Sequence, residues 1–240
     1  MTTTVLELQD VRKVHGTDDN TVVALDGVTL TLRRGEFVAV MGTSGSGKST
    51  LLNIAGGLDS PTSGSVIVEG QPLGDLRLSK IAALRRQHIG YVFQSLNLIP
   101  SLTAVENVML PRELDGVRSS QARREAEAAL AEVGVSEISS RFPEDLSGGQ
   151  QQRIAIARAL VGSRRLILAD EPTGSLDSAT GDAVMRLIRS RCDDGASAIV
   201  VTHDARHAGW ADHVLFLRDG RPACIAASAS HAADTVKVAP

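Results

Sequence analysis

Residues 42 to 50 read GTSGSGKST, between the apolar segment EFVAVM and the segment LLNIAG. This stretch matches the pattern GxxxxGK[ST], which forms a phosphate-binding loop when a strand precedes it and a helix follows it. EFVAVM has the apolar character of a buried strand, and LLNIAG has that of a helix. A flexible Gly/Ser turn is the alternative interpretation, but the flanking segments favour the phosphate-binding loop.

The residue types in this loop suit the chemistry of phosphates. Gly42 and Gly47 let backbone N–H groups curl around a β-phosphate, and the N-terminus of the next helix adds partial positive charge. Lys48 neutralises β- and γ-phosphate oxygens, while the hydroxyl of Ser49 is an oxygen ligand for Mg²⁺. The loop therefore predicts a nucleoside triphosphate site.

Composition and charge narrow the function classes. The 240-residue chain has a net charge of -3 and 2% aromatic residues. It therefore lacks an overall basic field for nucleic acid or an anionic membrane. Cys192 and Cys224 lack the spacing of a zinc site, which favours a reducing compartment. The N-terminus MTTTVLELQD does not look like a signal peptide, and apolar runs fall far short of about 20 residues, so we expect no membrane span.

The hydrophobic pattern changes twice along the chain. Short β-rich segments come first, including TVLELQDV and VVALDGVTLTL. From about residue 80 to 160 the pattern is mostly helical, and Gly134 is placed to end the helix SSQARREAEAALAEVG. LILAD, SAIVVTHD and HVLFLRDG then alternate with helical segments such as GDAVMRLIRSR. This rhythm predicts an α/β fold with a mostly parallel core sheet and a helical subdomain in mid-chain.

A second site motif is RLILADEP, an apolar segment that ends in Asp170 and Glu171. A strand of a parallel sheet would place both carboxylates at its carboxyl edge, beside the phosphate-binding loop. There Asp170 can join the ligands of Mg²⁺ and Glu171 can polarise an attacking water, which is the chemistry of nucleotide hydrolysis. Without the loop, a strand that ends in solvated acids would be the simpler interpretation.

Two single residues complete the candidate site. Gln94 follows the strand-like GYVF and can sense the γ-phosphate through the metal or a water. His203 ends the strand AIVVTH and can donate a hydrogen bond to the γ-phosphate. Each is weak evidence alone, because an isolated Gln or His is more often structural. The histidines interpreted in that structural way are His15, His88, His207, His213 and His231.

A second glycine-containing loop, LSGGQQQ at residues 146 to 152, has no cationic residue. Ser147 is suited to cap the following helix, and Gly148 and Gly149 let the backbone approach an anion closely. Contacts of this kind are worth only about 0.3–1 kcal/mol each at an exposed site, too little to bind a nucleotide unaided. Our hypothesis is that the loop closes over the γ-phosphate of ATP held by a second copy; a capped helix without a ligand is the alternative.

Six motifs in a fixed order carry a resemblance to a known family. GTSGSGKST, Gln94, LSGGQ, LILADEP, SLD at 175 to 177 and His203 resemble the nucleotide-binding subunits of ABC transporters over residues 4 to 222. LLNIAGGLDSPTSGSV, IGYVFQSLNLIPSLTAVENVMLP and DEPTGSLD are similar to the branch that serves macrolide-efflux, lipoprotein-releasing, antimicrobial-peptide-detoxifying and cell-division permeases.

The resemblance implies the architecture. The expected fold is a P-loop NTPase (RecA-like) core with a parallel sheet, an N-terminal antiparallel β subdomain and an inserted helical subdomain. We assign residues 1–226 to a single ATPase domain, with the helical subdomain at about 95–160. The Ala- and Ser-rich tail at 227–240 is expected to be poorly ordered at its end.

The resemblance also implies roles for the residues of the site. Glu171 is expected to be the catalytic base and His203 a switch histidine. Gln94 and Asp170 are expected to bind Mg²⁺ together with Ser49. The residues expected to bind the phosphates of ATP are Gly42, Thr43, Ser44, Gly45, Ser46, Gly47, Lys48, Ser49 and Thr50.

Further expected contacts involve the base and a second copy of the chain. His15 stands near where the family usually offers an aromatic residue to stack on adenine. Asp177 is expected to cross the interface between two copies. The residues expected to contact the partner's ATP are Ser147, Gly148, Gly149 and Gln150.

The implied function is ATP hydrolysis with Mg²⁺ by an ATP-dependent homodimer that drives a separate integral-membrane permease. The subunit is expected to be cytoplasmic and peripheral on the inner face of the membrane, without a nucleic-acid partner. The segment SLNLIPSLT would receive the permease, and its Leu96, Leu98, Ile99 and Leu102 form either an apolar groove or simply part of the core.

Two other functions remain open from the sequence. An ABC-type ATPase acting on DNA or ribosomes is disfavoured because the chain has neither long coiled-coil arms nor a second cassette. A regulatory module that binds nucleotide without turnover is disfavoured by Glu171 and His203. The substrate and the direction of transport are not encoded in any pattern that we recognise.

Overall fold

The computed structural model of the chain describes residues 3–16 and 20–227. Within these residues the helices are α1 (Lys48–Ala55), α2 (Leu78–His88), α3 (Ala104–Leu114), α4 (Ser119–Glu132), α5 (Gly148–Leu160), α6 (Ser178–Asp193) and α7 (Ala205–Ala208). The strands are β1 (Thr4–His15), β2 (Val22–Arg33), β3 (Phe37–Met41), β4 (Ser63–Val68), β5 (Gln71–Pro72), β6 (Ile89–Val92), β7 (Leu166–Asp170), β8 (Ser197–Val201), β9 (His213–Arg218) and β10 (Arg221–Ala227).

The core is a six-stranded sheet in the order β10-β9-β3-β8-β7-β6. Strands β9, β3, β8, β7 and β6 pair in parallel, and β10 pairs antiparallel with β9 at the edge. Every residue of β7 and β8 is buried, as expected for central strands covered on both faces. The predicted α/β fold with a mostly parallel core sheet is confirmed.

The N-terminal strands form a second, antiparallel sheet in the order β2-β1-β4-β5. Its buried leucines, among them Leu6, Leu8 and Leu30, share one apolar core with Leu51 and Leu52 of α1. Helix α1 therefore lies between the two sheets and buries one face against each. This is the expected N-terminal antiparallel subdomain.

Helices α3, α4 and α5 pack against one another. In the sequence they lie between β6 and β7, where the inserted helical subdomain was expected. Ala122 and Ala126 of α4 are fully buried against this bundle, because their small side chains allow close helix approach. The chain leaves α4 through Gly134, whose φ of +67° is the left-handed conformation that glycine adopts most readily.

None of the helices within the described ranges is both long and apolar enough to cross a membrane. The tail assigned to 227–240 lies outside the described residues, except for Ala227 at the end of β10. The exact limits of the helical subdomain stay a prediction.

Candidate active site

The phosphate-binding loop follows β3 and leads into α1, so residues 42–47 lie at the carboxyl edge of the core sheet. Gly47 caps α1 with a φ of +99°, and a Cβ atom there would lie 2.2 Å from the carbonyl oxygen of Ala24. A Cβ atom at Gly42 would lie 2.2 Å from the carbonyl oxygen of Leu217. Both glycines are therefore required by close backbone approach, which gives the loop its shape.

The ammonium group of Lys48 lies across the mouth of this loop. It donates hydrogen bonds to the carbonyl oxygens of Gly42, at 2.9 Å, and Thr43, at 2.7 Å. These bonds hold a positive charge in the cavity, and Lys48 forms no ion pair with a carboxylate in the part of the chain that the structure describes. An anion that enters the loop therefore meets a cation that is already positioned.

Ser49 and Asp170 meet although 121 residues separate them in sequence. The Ser49 hydroxyl donates a 2.6 Å hydrogen bond to Oδ2 of Asp170, which is 6% exposed. Burial, and secondarily the negative charge of Asp170, raises the pKa of the neighbouring Tyr91. A hydroxyl, a buried carboxylate and the amide of Gln94 on the same cavity are hard oxygen donors, which fit Mg²⁺.

Glu171 directly follows β7 with a φ of +49°, a left-handed conformation that is unfavourable for a residue with a side chain. Its amide donates to the carbonyl oxygen of Val201 at 3.0 Å, which fixes it beside the end of β8. Its Oε1 atom lies 2.9 Å from Nδ1 of His203. This hydrogen bond, helped by the carboxylate charge, raises the pKa of His203.

These groups surround one cavity of about 430 Å³. It brings together the loop, Gln94 and the residues after β7 and β8, as the sequence predicted for the carboxyl edge of a parallel sheet. The side chains and backbone that line it belong to Val22, Ala24, Gly42, Ser44, Gly45, Gly47, Lys48, Ser49, Thr50, Gln94, Asp170, Glu171, Val201 and His203.

Val22 and Ala24 of β2 were missed by sequence analysis, because no local pattern indicates that the antiparallel sheet reaches the cavity. His15 is not part of the cavity lining, but it pairs with Val22 across the β1–β2 ladder and so lies next to its rim. Its proposed contact with the base stays a prediction.

Arg158 of α5 is a further residue that sequence analysis missed. Its guanidinium donates to the carbonyl oxygens of Leu96, at 2.5 Å, and Asn97, at 2.6 Å, both of which have left-handed φ values. The segment after Gln94 is thus held against α5. Leu98 packs against the helical core, which favours a core role for that leucine over a groove-lining one.

The second glycine-containing loop does not line the cavity. Ser147 caps α5, as predicted: its Oγ accepts from the amide of Gln150 at 3.3 Å, and Gln150 Oε1 accepts from the amide of Ser147 at 2.9 Å. A Cβ atom at Gly149 would lie 3.2 Å from the carbonyl oxygen of Ser175. The loop therefore packs beside the segment 175–177, where Asp177 caps α6 by accepting from the amide of Thr180 at 3.0 Å.

A family model described as ABC transporter matches residues 25–174. The chain belongs to the ABC transporter family. Two relatives of this ABC cassette are named macrolide export ATP-binding/permease protein: that of Hyphomonas neptunium is 46% identical over 221 residues, and that of Brucella abortus is 48% identical over 217. The matches cover 92% and 90% of this chain, and the chain spans about a third of the length of each relative, 34%.

Solved structures match the ABC cassette over nearly its whole described length. The post-hydrolysis dimer of the ATP-binding cassette MJ0796, bound to ADP and Pi, has a TM-score of 0.89 and 41% identity, and the match covers 92% of this chain and 98% of that one. A second dimeric structure of MJ0796, named a bacterial ABC transporter cassette, gives the same values. The P-loop NTPase architecture with its antiparallel and helical additions is thereby confirmed.

Proposed function

We propose that this cassette binds ATP with Mg²⁺ in the cavity above its phosphate-binding loop, hydrolyses the ATP and drives an integral-membrane permease. The observation that carries the proposal is the single cavity in which Lys48, Ser49 and Asp170 meet Glu171 and His203. The proposed phosphate-binding, metal-binding and water-activating groups are all within one site, although these five residues come from three separate parts of the chain.

Each residue of the site has its own role in the proposed hydrolysis. The loop and Lys48 orient the phosphates, and Glu171 takes the proton from the water that attacks the γ-phosphorus as the bond to the β-phosphate oxygen breaks. His203 donates a hydrogen bond to the γ-phosphate, and its raised pKa favours the form with two N–H groups. When bound, Mg²⁺ neutralises charge on the phosphate oxygens, and Ser49, Gln94 and Asp170 are the residues that would hold it.

The dimer is part of the proposal because one group of binding residues lies away from the cavity. Ser147 and Gly148 are exposed at the N-terminus of α5, next to Asp177 at the N-terminus of α6. The N-terminus of α5, which carries no charged side chain, is a weak anion site alone, but it suits a γ-phosphate that a second copy already holds. The dimeric cassette MJ0796 supports this arrangement.

The permease is inferred from the relatives, whose printed names join an ATP-binding part to a permease. We infer a permease of the macrolide-efflux or lipoprotein-release type, used for export or mechanical signalling across the membrane. The cassette would then be peripheral on the cytoplasmic face of that membrane.

A Glu171→Gln variant tests the site and the dimer together. We expect it to bind ATP and Mg²⁺, to lose turnover and to accumulate as a dimer in gel filtration, because the amide cannot accept the proton of the attacking water. A matched Glu127→Gln variant, changed on the exposed face of α4, should keep wild-type turnover. Only monomer in both the presence and the absence of ATP would exclude the ATP-bound dimer.

The permease is tested by purifying the tagged Glu171→Gln chain from detergent-solubilised native membranes with ATP and Mg²⁺. A stoichiometric integral-membrane protein identified by mass spectrometry supports the transport function. Recovery of only soluble or nucleic-acid partners would reject it.

A further inference from the structure

A buried histidine joins the segments that follow β7 and β8, outside the cavity. His207 lies in α7, four residues after His203, and its side chain belongs to the buried set at 5% exposure. On one side its Nδ1 atom lies 3.1 Å from the hydroxyl of Thr173, two residues after Glu171. On the other side lies Gly181 of α6, where a Cβ atom would be 3.4 Å from Nε2.

The hydrogen bonding of this ring is incomplete. Nε2 is buried and has no hydrogen-bond partner among the described residues, and Oδ1 of Asp182 lies 3.5 Å from it. A neutral imidazole has one donor and one acceptor nitrogen, so the Thr173 hydroxyl can satisfy only one of them. A small approach of the first turns of α6 towards α7 would let Asp182 complete the second bond.

The other carboxylate near the ring already has a partner. Oδ2 of Asp204 lies 3.7 Å from Nδ1 of His207, but it also accepts a 2.9 Å hydrogen bond from the guanidinium of Arg206. Asp204 also faces Nδ1, which already contacts Thr173, whereas Asp182 faces the unbonded Nε2.

We propose that His207 is a positioning residue for the hydrolysis proposed above, and the inference rests on that function. Through Thr173 the ring fixes the segment of Glu171 against the segment of His203. Asp182, 3.5 Å from Nε2, belongs to the helix that Asp177 caps, so the same side chain lies between the water-activating residues and the expected dimer contact. His207 does not line the cavity and does not touch the nucleotide site.

The test compares His207→Leu with His207→Gln. Leucine fills the space without hydrogen bonds, whereas the glutamine amide can both accept from Thr173 and donate to Asp182. We expect the Leu variant to lower kcat at least about fivefold while KM for ATP changes less than about twofold, because the reacting groups are misplaced but the phosphate contacts are not. The Gln variant is expected to recover most of kcat.

Thr173→Val examines the same link from its other end, should the Leu variant fail to fold. It removes the hydroxyl at nearly constant volume and should by itself lower kcat in the wild-type chain, and a wild-type kcat for this variant would contradict the positioning role. Where the His207→Leu chain folds, Thr173→Val should not lower its kcat further. The matched control is His213, a buried histidine at 8% exposure. It pairs with Val38 near the start of β3, whereas the loop follows the end of that strand. His213→Gln should leave kcat and KM unchanged.

The outcomes separate this inference from the proposed function. Equal kcat for the folded Leu and Gln variants, or a Thr173→Val effect that adds fully to that of His207→Leu, overturns the positioning role alone. A wild-type chain that does not hydrolyse ATP at all overturns the proposed function, and the inference falls with it. A kcat loss confined to the Leu and Val variants supports both.

Discussion

Nδ1 of His203 lies 2.9 Å from Oε1 of Glu171, although one residue follows β8 and the other follows β7. Neighbouring parallel strands bring the two side chains to the same edge of the sheet. The Glu171 side chain is 19% exposed and the His203 side chain 78% exposed, so the pair borders the open cavity. The proposed proton acceptor for water and the proposed donor to the γ-phosphate are therefore in direct contact.

This contact makes the titration of His203 depend on Glu171. The hydrogen bond and the carboxylate charge raise the pKa of His203 above its ordinary 6.5. We expect a histidine NMR titration to show a raised midpoint in the wild type and a lower one in Glu171→Gln, with no change in Glu127→Gln. Any stability from the pair is present below pH about 6.5 and is lost as pH rises through the raised folded pKa. An unchanged midpoint in Glu171→Gln would contradict the contact.

Lys48→Ala should abolish hydrolysis. The variant leaves the β- and γ-phosphate charge uncompensated, and we expect turnover to fall by at least about 100-fold. The matched control is Lys80→Ala, because Lys80 is an exposed residue of α2 that does not line the cavity. Steady-state phosphate release measures both. Near-normal turnover of the Lys48 variant would refute its role.

The shape of the phosphate-binding loop predicts graded effects of alanine at three glycines. Gly47→Ala combines a positive φ with a 2.2 Å approach to the carbonyl oxygen of Ala24, so it should lower the free energy of unfolding by more than about 2 kcal/mol. Gly45→Ala has the positive φ but open space, and should cost about 1–2 kcal/mol. Gly74→Ala has neither problem and should stay within about 0.5 kcal/mol. Urea unfolding gives the order, and equal costs at all three would show that backbone approach does not shape the loop.

Ser147→Ala should weaken the ATP-bound dimer beyond its effect on stability. Ser147 caps α5 and Thr103 caps α3 with the same reciprocal pair of hydrogen bonds, so alanine at either site should cost about 1 kcal/mol of folding stability. In the Glu171→Gln background, sedimentation with ATP should show less dimer for Ser147→Ala only. Equal dimer fractions for the two variants would mean that Ser147 is merely a cap.

Much of the site could be predicted because its parts are local in sequence. The loop from Gly42 to Thr50 needs only a strand, a glycine-rich turn and a helix in succession, and that order is visible in the residues themselves. Asp170 and His203 could be placed beside it because the carboxyl ends of parallel strands share one edge of a sheet. The cap at Ser147 follows from the residue types at one helix start.

Other contacts could not be predicted because they join segments that no local pattern relates. Val22 reaches the cavity only because the antiparallel sheet folds over α1. Arg158 binds the carbonyl oxygens of Leu96 and Asn97 across more than sixty residues, at separations of 62 and 61. In the sequence His207 has the pattern of an isolated structural histidine, and only the fold places Thr173 and Gly181 on either side of it.

By itself, the sequence determined the α/β fold class, the phosphate-binding loop and the acids and histidine that accompany it, because hydrophobic period and residue spacing are properties of the chain alone. The tertiary structure decided which of these residues meet. Burial of the two sheets against α1 brings Ser49 to Asp170 and Glu171 to His203 in one cavity, and it leaves Ser147 outside it. Packing between residues that are far apart in the sequence sets those distances, and no local sequence pattern predicts that packing.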